Sequence, residues 1–362
     1  MIRRVKKMKL IYCCVVLGLL FLLSDCRDIR LVNNCPYEIW PVMYNATQLP
    51  QDSWKLQPKG EARIPFDKLV ATRIWARSGC KFISPCPSDL SIKRACIVCE
   101  VGDCPLGHDR YARGEDGTRC GNVGGKPPFD IFEITTGSGG SNDYYDLSRV
   151  DGSIGSMRVE VKPYSRPPPV TPPKFSCGRP GCPPHDRKLC PEELQKFSKS
   201  GNYLGCSSIC SAINDAEMRS KSAILRNIYS GTTRETRNPD GSIRTKGGKP
   251  LKDLVCCACG DGHGGCEVDP NSNFCCSPYI KGSHPNWGGR CYHEDWPKPN
   301  PDFVRRVNQN PELMKKFREI NQDVNYASIF KVGCQDAYSW QFDDFQSTYQ
   351  CRDADYTIFF CN

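Results

Sequence analysis

The stretch "YTIFFC" (residues 356–361) decides how this chain is organised, because it carries a strand signal at the far end of a long cysteine-rich region. Its aromatic and β-branched residues suit a half-buried strand. Similar short runs crowd the front of the chain: "IRLVNNC" (29–35), "YEIWPVMY" (37–44), "TRIWARS" (72–78), "FDIFEITT" (129–136) and "SMRVEVKP" (156–163). Gly, Pro, Asn and Asp clusters separate them, the pattern of an antiparallel sandwich or barrel. If the final run rejoins that sheet, everything between is an insertion. The expected fold is therefore mainly β: an antiparallel β-sandwich core at 27–165, completed by 335–362, with a disulfide-rich loop and helix domain at 177–334 inserted into it.

The join is marked by "PYSRPPPVTPPK" (163–174), whose prolines forbid a central strand and favour an extended connector, placed at 166–176. Beyond it, "SICSAINDAEMRSKSAILRNIY" (208–229) has the apolar spacing of one amphipathic helix, and "NPELMKKFREINQD" (310–323) reads as another starting after Asn310-Pro311. Between them "NPDGSIRTKGGKP" (238–250) is polar and turn-rich, an exposed excursion.

The 362-residue chain opens on "MIRRVKKMK" and an apolar run from Leu10 to Leu23, too short for an ordinary membrane span and suited to a secretory signal at 1–26. A secreted, extracellular protein without a stable membrane span is the expectation. Of the 25 cysteines, Cys13, Cys14 and Cys26 would leave with that signal, and the remaining 22 make an even set for an oxidising compartment. Asn45-Ala46-Thr47 is a glycosylation acceptor there. The net charge of +9 includes Arg3, Arg4, Lys6, Lys7 and Lys9 against Asp25, so the chain after the signal carries +5. That mild excess, with no nucleic-acid motif, argues against a nucleic-acid partner.

"YYDLSRVDGS" (144–153) sets Asp146 and Asp151 five positions apart. On a regular strand they would point to opposite faces, so both reach one cleft only if the chain bends between or just after them. A surface carboxylate followed by a turn carboxylate is the plainer reading.

The motifs "NNCPYEIWPV", "RIWARSGC", "CEVGDC", "KPPFDIFEI", "YYDLSRVDG", "CPEEL", "FCC" and "CQDAYSWQFDD", followed by "STYQC" and "YTIFFC", fall in one order along the chain. Together they resemble the thaumatin-like proteins, secreted defence-type proteins built on a β-sandwich with disulfide-rich loops. The resemblance implies an acidic cleft lined by Arg73 of "RIW", Glu133 of "KPPFDIFE", Asp146 of "YYD", Asp151 of "VDG", and one aspartate of "FDD", either Asp343 or Asp344. Clustered carboxylates raise at least one another's pKa while a nearby arginine opposes the rise, the asymmetry that glycoside hydrolysis uses. The resemblance implies Glu133 and Asp146 as the catalytic pair, with Glu133 as acid. Fold and motif support a cleft but not a rate, so polysaccharide binding, to a β-1,3-glucan of a fungal-type wall, stands ahead of weak endo-β-1,3-glucanase activity. A monomer with no cofactor is expected.

The resemblance also implies the disulfides Cys35–Cys361, Cys80–Cys99, Cys104–Cys120, Cys177–Cys351, Cys182–Cys334, Cys190–Cys206, Cys210–Cys275 and Cys276–Cys291. The chain departs from the family in the long loop between Cys104 and Cys120, in the added Cys86 and Cys96, and in an insertion at about 211–310. That insertion raises a third reading, a protein-binding or enzyme-inhibiting module. Its "CCACGDGHGGC" (256–266) offers Cys256, Cys259, His263 and Cys266 as soft ligands, but in an oxidising compartment disulfides among Cys256, Cys257, Cys259 and Cys266 are the better account, so no metal is expected.

Overall fold

The computed structural model describes residues 27–45, 53–83, 96–104, 117–118, 124–237, 239–245, 247–248, 250–256 and 295–361. The signal at 1–26, residues 46–47 of the sequon, most of the 105–120 loop, and Cys86, Cys120, Cys257, Cys259, His263, Cys266, Cys275, Cys276 and Cys291 lie outside them.

The principal strands are β1 (Asp28–Asn33), β2 (Ile39–Tyr44), β3 (Glu61–Pro65), β4 (Thr72–Ser78), β5 (Ile131–Thr135), β6 (Asp143–Ser148), β7 (Met157–Pro163) and β8 (Ala354–Phe360). One sheet is ordered Gly181–Cys182, β7, β8, β1, β3. The other runs Ala337–Tyr338, β6, β5, β4, β2, Ser53–Trp54, Gly117–Thr118, and Tyr349–Cys351 also pairs with β6. Strand β8 carries "YTIFF" and lies inside the first sheet, parallel to β1 and antiparallel to β7. The fold is thus mainly β, with the end of the chain filling a slot between strands from its beginning.

Alternation explains why these runs are strands. In β8, Ala354, Tyr356, Ile358 and Phe360 are buried while the residues between them are half-exposed. They meet Ile29 and Leu31 of β1, Ile74 of β4, Phe132 and Ile134 of β5, and Tyr145 and Leu147 of β6 in one core between the sheets. Each such large apolar side chain contributes about 1.5–3 kcal/mol through burial.

A second core belongs to the helical region, where Ile213, Leu225, Phe303, Phe317, Ile329 and Phe330 pack together. The single helix expected over 208–229 is instead three: α1 (Ile209–Asn214), α2 (Ala216–Lys221) and α3 (Ala223–Ser230). The breaks have a local cause. The Asp215 carboxylate accepts from the backbone N–H groups of Glu217 and Met218, and Ser222 Oγ accepts from that of Leu225, so both residues cap the next helix instead of continuing the last. Further along come α4 (Leu251–Cys256), α5 (Pro301–Asn308), α6 (Pro311–Glu319), α7 (Ser328–Gly333) and the single turn α8 (Asp344–Ser347). Asn310 caps α6 at the expected Asn-Pro start. Part of the 238–250 excursion pairs Ile243–Thr245 with Thr236–Arg237 as a small hairpin.

Disulfides join Cys35 to Cys361, Cys80 to Cys99, Cys177 to Cys351, Cys182 to Cys334 and Cys190 to Cys206. The first, the third and the fourth of these link parts of the chain separated by 326, 174 and 152 residues, where removing unfolded-state entropy counts most. The pairing of Cys210 with Cys275 is corrected: Cys210 bonds to Cys256, with Cα atoms 4.8 Å apart. Helices α1 and α4 pack on each other and bring these two cysteines into register, so Cys256 belongs neither to a self-closing set nor to a free metal-ligand group.

Candidate acidic cleft

The site is built by strand register. Tyr44 of β2 lies opposite Arg73 of β4, Arg73 opposite Glu133 of β5, and Glu133 opposite Asp146 of β6. These four residues form a row across four strands on the sheet face turned away from the inter-sheet core, since their strand neighbours Met43, Ile74, Phe132, Ile134, Tyr145 and Leu147 fill that core. Cross-strand neighbours of this kind stand about 5 Å apart at Cβ. Arg73 Nε donates to Glu133 Oε1 at 2.7 Å, with the arginine side chain 54% and the glutamate 28% exposed.

Asp151 reaches the same place because the chain turns just after β6. The Gly152 N–H closes that turn on the Arg149 carbonyl at 3.0 Å. Gly152 has φ +110°, and a Cβ there would lie 2.4 Å from the Cys206 carbonyl oxygen, so only glycine fits. The turn is held from behind by a buried pair. Asp130 accepts from Arg149 Nε at 2.8 Å, from Ser153 Oγ at 2.9 Å, and from the N–H groups of Ile154 and Gly155 at 3.0 and 3.1 Å. Arg149 Nη2 also donates to the Pro183 carbonyl at 2.6 Å, linking the turn to the start of the inserted region.

The "FDD" aspartates part company. Asp343 is buried, with a carboxylate 2.8 Å from the Lys331 ammonium, and it accepts from the Ser339 backbone N–H at 3.2 Å. Lys331 is buried too and donates to the Ala337 carbonyl and to Ser347 Oγ. Asp343 therefore serves the base of α8 and is corrected as a cleft residue. Asp344 is exposed, accepts from Tyr338 OH at 3.0 Å, and acts electrostatically on Asp146.

Charge and burial set the carboxylates apart. Burial pushes Asp146 well above the ordinary aspartate range, the facing Glu133 and then Asp344 push it the same way, and Arg73 opposes them. Asp146 Oδ1 is shut off from solvent without a hydrogen-bond partner. Asp151 is also raised, first by burial, with Arg73 opposing and Glu133 adding. For Arg73, partial burial disfavours the charge, but Glu133 and Asp151 outweigh it and hold the guanidinium pKa above its ordinary value. Burial and then the Asp146 charge raise the Tyr338 hydroxyl.

Arg73, Glu133, Asp146, Asp151 and Asp344 are thus brought together, and Asp343 is not. Sequence reasoning had no signal for the Asp130–Arg149 support or for Tyr338. For Tyr44 the "EIWPVMY" alternation was available, since it puts Tyr44 on the face opposite Met43. Tyr144, 49% exposed, stands two residues before Asp146 on the same face and adds an aromatic surface beside the row. Of the expected glycosylation site, Asn45 ends β2's turn with Nδ2 donating to the carbonyls of Val70 and Ala71 at 3.3 and 3.1 Å. Among the described residues, no group of three or more His, Cys, Asp or Glu side chains is arranged to hold a metal ion, and no helix is long and apolar enough to cross a membrane.

The sequence pattern of the Thaumatin family matches residues 33–224 and 314–362, well over half of the chain. The chain belongs to the thaumatin family. Residues 225–313 fall between the two matched blocks, so this thaumatin-family chain carries an enlarged insertion there. It is 30% identical over 178 residues to thaumatin-like protein 2 of Prunus persica, covering 49% of this chain and 62% of that protein. It is 25% identical over 342 residues to a glucan endo-1,3-beta-glucosidase of Prunus avium, covering 93% and 91%. Among solved structures, the thaumatin-like xylanase inhibitor TLXI aligns over 37% of this chain and 75% of its own, with 20% identity and a TM-score of 0.26.

Proposed function

We propose that this protein is a secreted, defence-type member of its family that binds a polysaccharide, a β-1,3-glucan, in the acidic cleft without efficient turnover. The observation that carries the reading is the in-register row of Arg73, Glu133 and Asp146, joined by Asp151 and Asp344. Hydroxyl-rich sugars need fixed acceptors and an apolar platform. The carboxylates supply the acceptors, and Tyr44 and Tyr144 offer ring surface beside them. The disulfides fit an oxidising, extracellular setting.

Hydrolysis is the second reading, favoured by one observation: Asp146, raised by burial, faces Glu133 across one strand pair. In that reaction Asp146, whose burial favours the protonated form, takes the acid role and Glu133 that of base or nucleophile, the reverse of the assignment made from the motifs. The named glucosidase relative is consistent with this chemistry. Laminarin titration together with reducing-sugar release, on protein with intact disulfides, separates the two. Binding without release supports recognition, release supports hydrolysis, and neither removes both readings.

A further inference from the structure

The geometry points to a second carbohydrate site, on the inserted region, that takes an anionic sugar. A cavity of about 550 Å³ lies between the turn at Arg187–Leu189 and helices α5 and α6, lined by Arg187, Lys188, Arg306, Asp186, Gln195 and Asn310 among others. This volume accommodates a sugar residue or two.

Its charge is one-sided. Three cations line it against one carboxylate, and Asp186 is already engaged, because its Oδ1 accepts from the Lys188 backbone N–H at 2.9 Å. Arg306 is paired with Glu192 at 2.9 Å, both side chains more than half exposed, an arrangement that solvent weakens and an anion can share. Lys188 is exposed.

Arg187 is also held in place before any ligand arrives. Arg187 Nε donates to Gln195 Oε1 at 3.2 Å. Its guanidinium lies over the rings of Tyr203 and Phe197, 4.9 and 5.5 Å from their centroids. The Cys190–Cys206 disulfide fastens the short turn carrying Arg187 and Lys188 to the strand Tyr203–Ser207. Such preorganisation lowers the ordering cost of binding. The apolar part of the lining is Val307 of α5 and Leu313 of α6. A fixed guanidinium and an exposed ammonium beside an apolar wall of Val307 and Leu313 recognise a carboxylated or sulfated sugar, which has both an anion and apolar C–H surface. A neutral glucan leaves these cations unanswered. The site is separate from the acidic cleft, and its chemistry does not depend on the glucan reading.

The test is calorimetric titration of the full, disulfide-intact protein at low salt with three probes: an oligogalacturonate, a sulfated oligosaccharide and a neutral laminarin oligosaccharide. Binding of at least one anionic probe is expected. It should weaken by about tenfold in Lys188→Glu and in Arg187→Gln, the loss of one charge-assisted contact, and weaken further with added salt. The cleft variant Asp146→Asn should bind the anionic probe as wild type does. Response to only one anionic probe identifies carboxylate or sulfate as the recognised group. If neither anionic probe binds at low salt, or if both basic-site variants bind them undiminished, the proposal is overturned.

Discussion

Glu133 and Asp146 face each other in register across β5 and β6, two carboxylates directly opposed on the face of one sheet turned away from the inter-sheet core. Like charges so placed repel, and the fold tolerates them because Arg73 ion-pairs with Glu133 from the other side while burial favours the neutral form of Asp146.

A pH dependence of stability follows. The folded state raises the Asp146 pKa above its unfolded value near 4, so between those two values the native state binds the extra proton and stability falls as pH rises. Asp146→Asn lacks this penalty. Its unfolding midpoint in urea should exceed that of wild type at pH 7, and the gap should close at or below about pH 4. A gap that persists unchanged at acid pH contradicts the assignment.

Arg73 lowers both Asp146 and Asp151. In Arg73→Met, carboxyl carbon titrations by NMR should move both aspartate midpoints upward. Because the side chain is half-exposed, global stability should change by only about 0–1 kcal/mol. Midpoints that stay in place would show that the guanidinium does not govern the cleft.

The buried pair behind the turn should behave differently. Arg149→Met leaves Asp130 buried with its charge uncompensated, and chemical denaturation should report a loss of about 3–5 kcal/mol. Ligand binding at the cleft should weaken as well, because the turn that carries Asp151 loses its anchor.

Two neighbouring residues give an internal control. Asp343→Ala strands the Lys331 ammonium in the interior and should cost about 3–5 kcal/mol. Asp344→Ala, on the exposed side of the same turn, should stay within about 0.5 kcal/mol of wild type while altering the cleft. Denaturation of both variants checks the contrast.

These contrasts also mark how far the sequence could be read. The sandwich was legible because β8 alternates strictly and its residues have the strand composition, and the motif order brought Arg73, Glu133, Asp146 and Asp151 into view. The orientation of "FDD" was not, since two adjacent aspartates have the same local signal and only the position of Lys331, brought in by α7, separates them. The break-up of the 208–229 helix turned on Asp215 and Ser222 acting as caps, a competition that apolar spacing ignores. The Cys210–Cys256 bond depended on α1 packing against α4, a long-range contact that no spacing rule carries.

Laminarin titration of wild type beside Glu133→Gln and Asp146→Asn tests the central claim most directly, with sugar release followed in the same samples. Saturable binding by wild type, weakened in both variants and accompanied by no sustained release, is the predicted result. Wild-type protein with intact disulfides that fails to bind, or variants that bind as wild type does, would contradict the assignment of the Arg73, Glu133 and Asp146 row as a polysaccharide site.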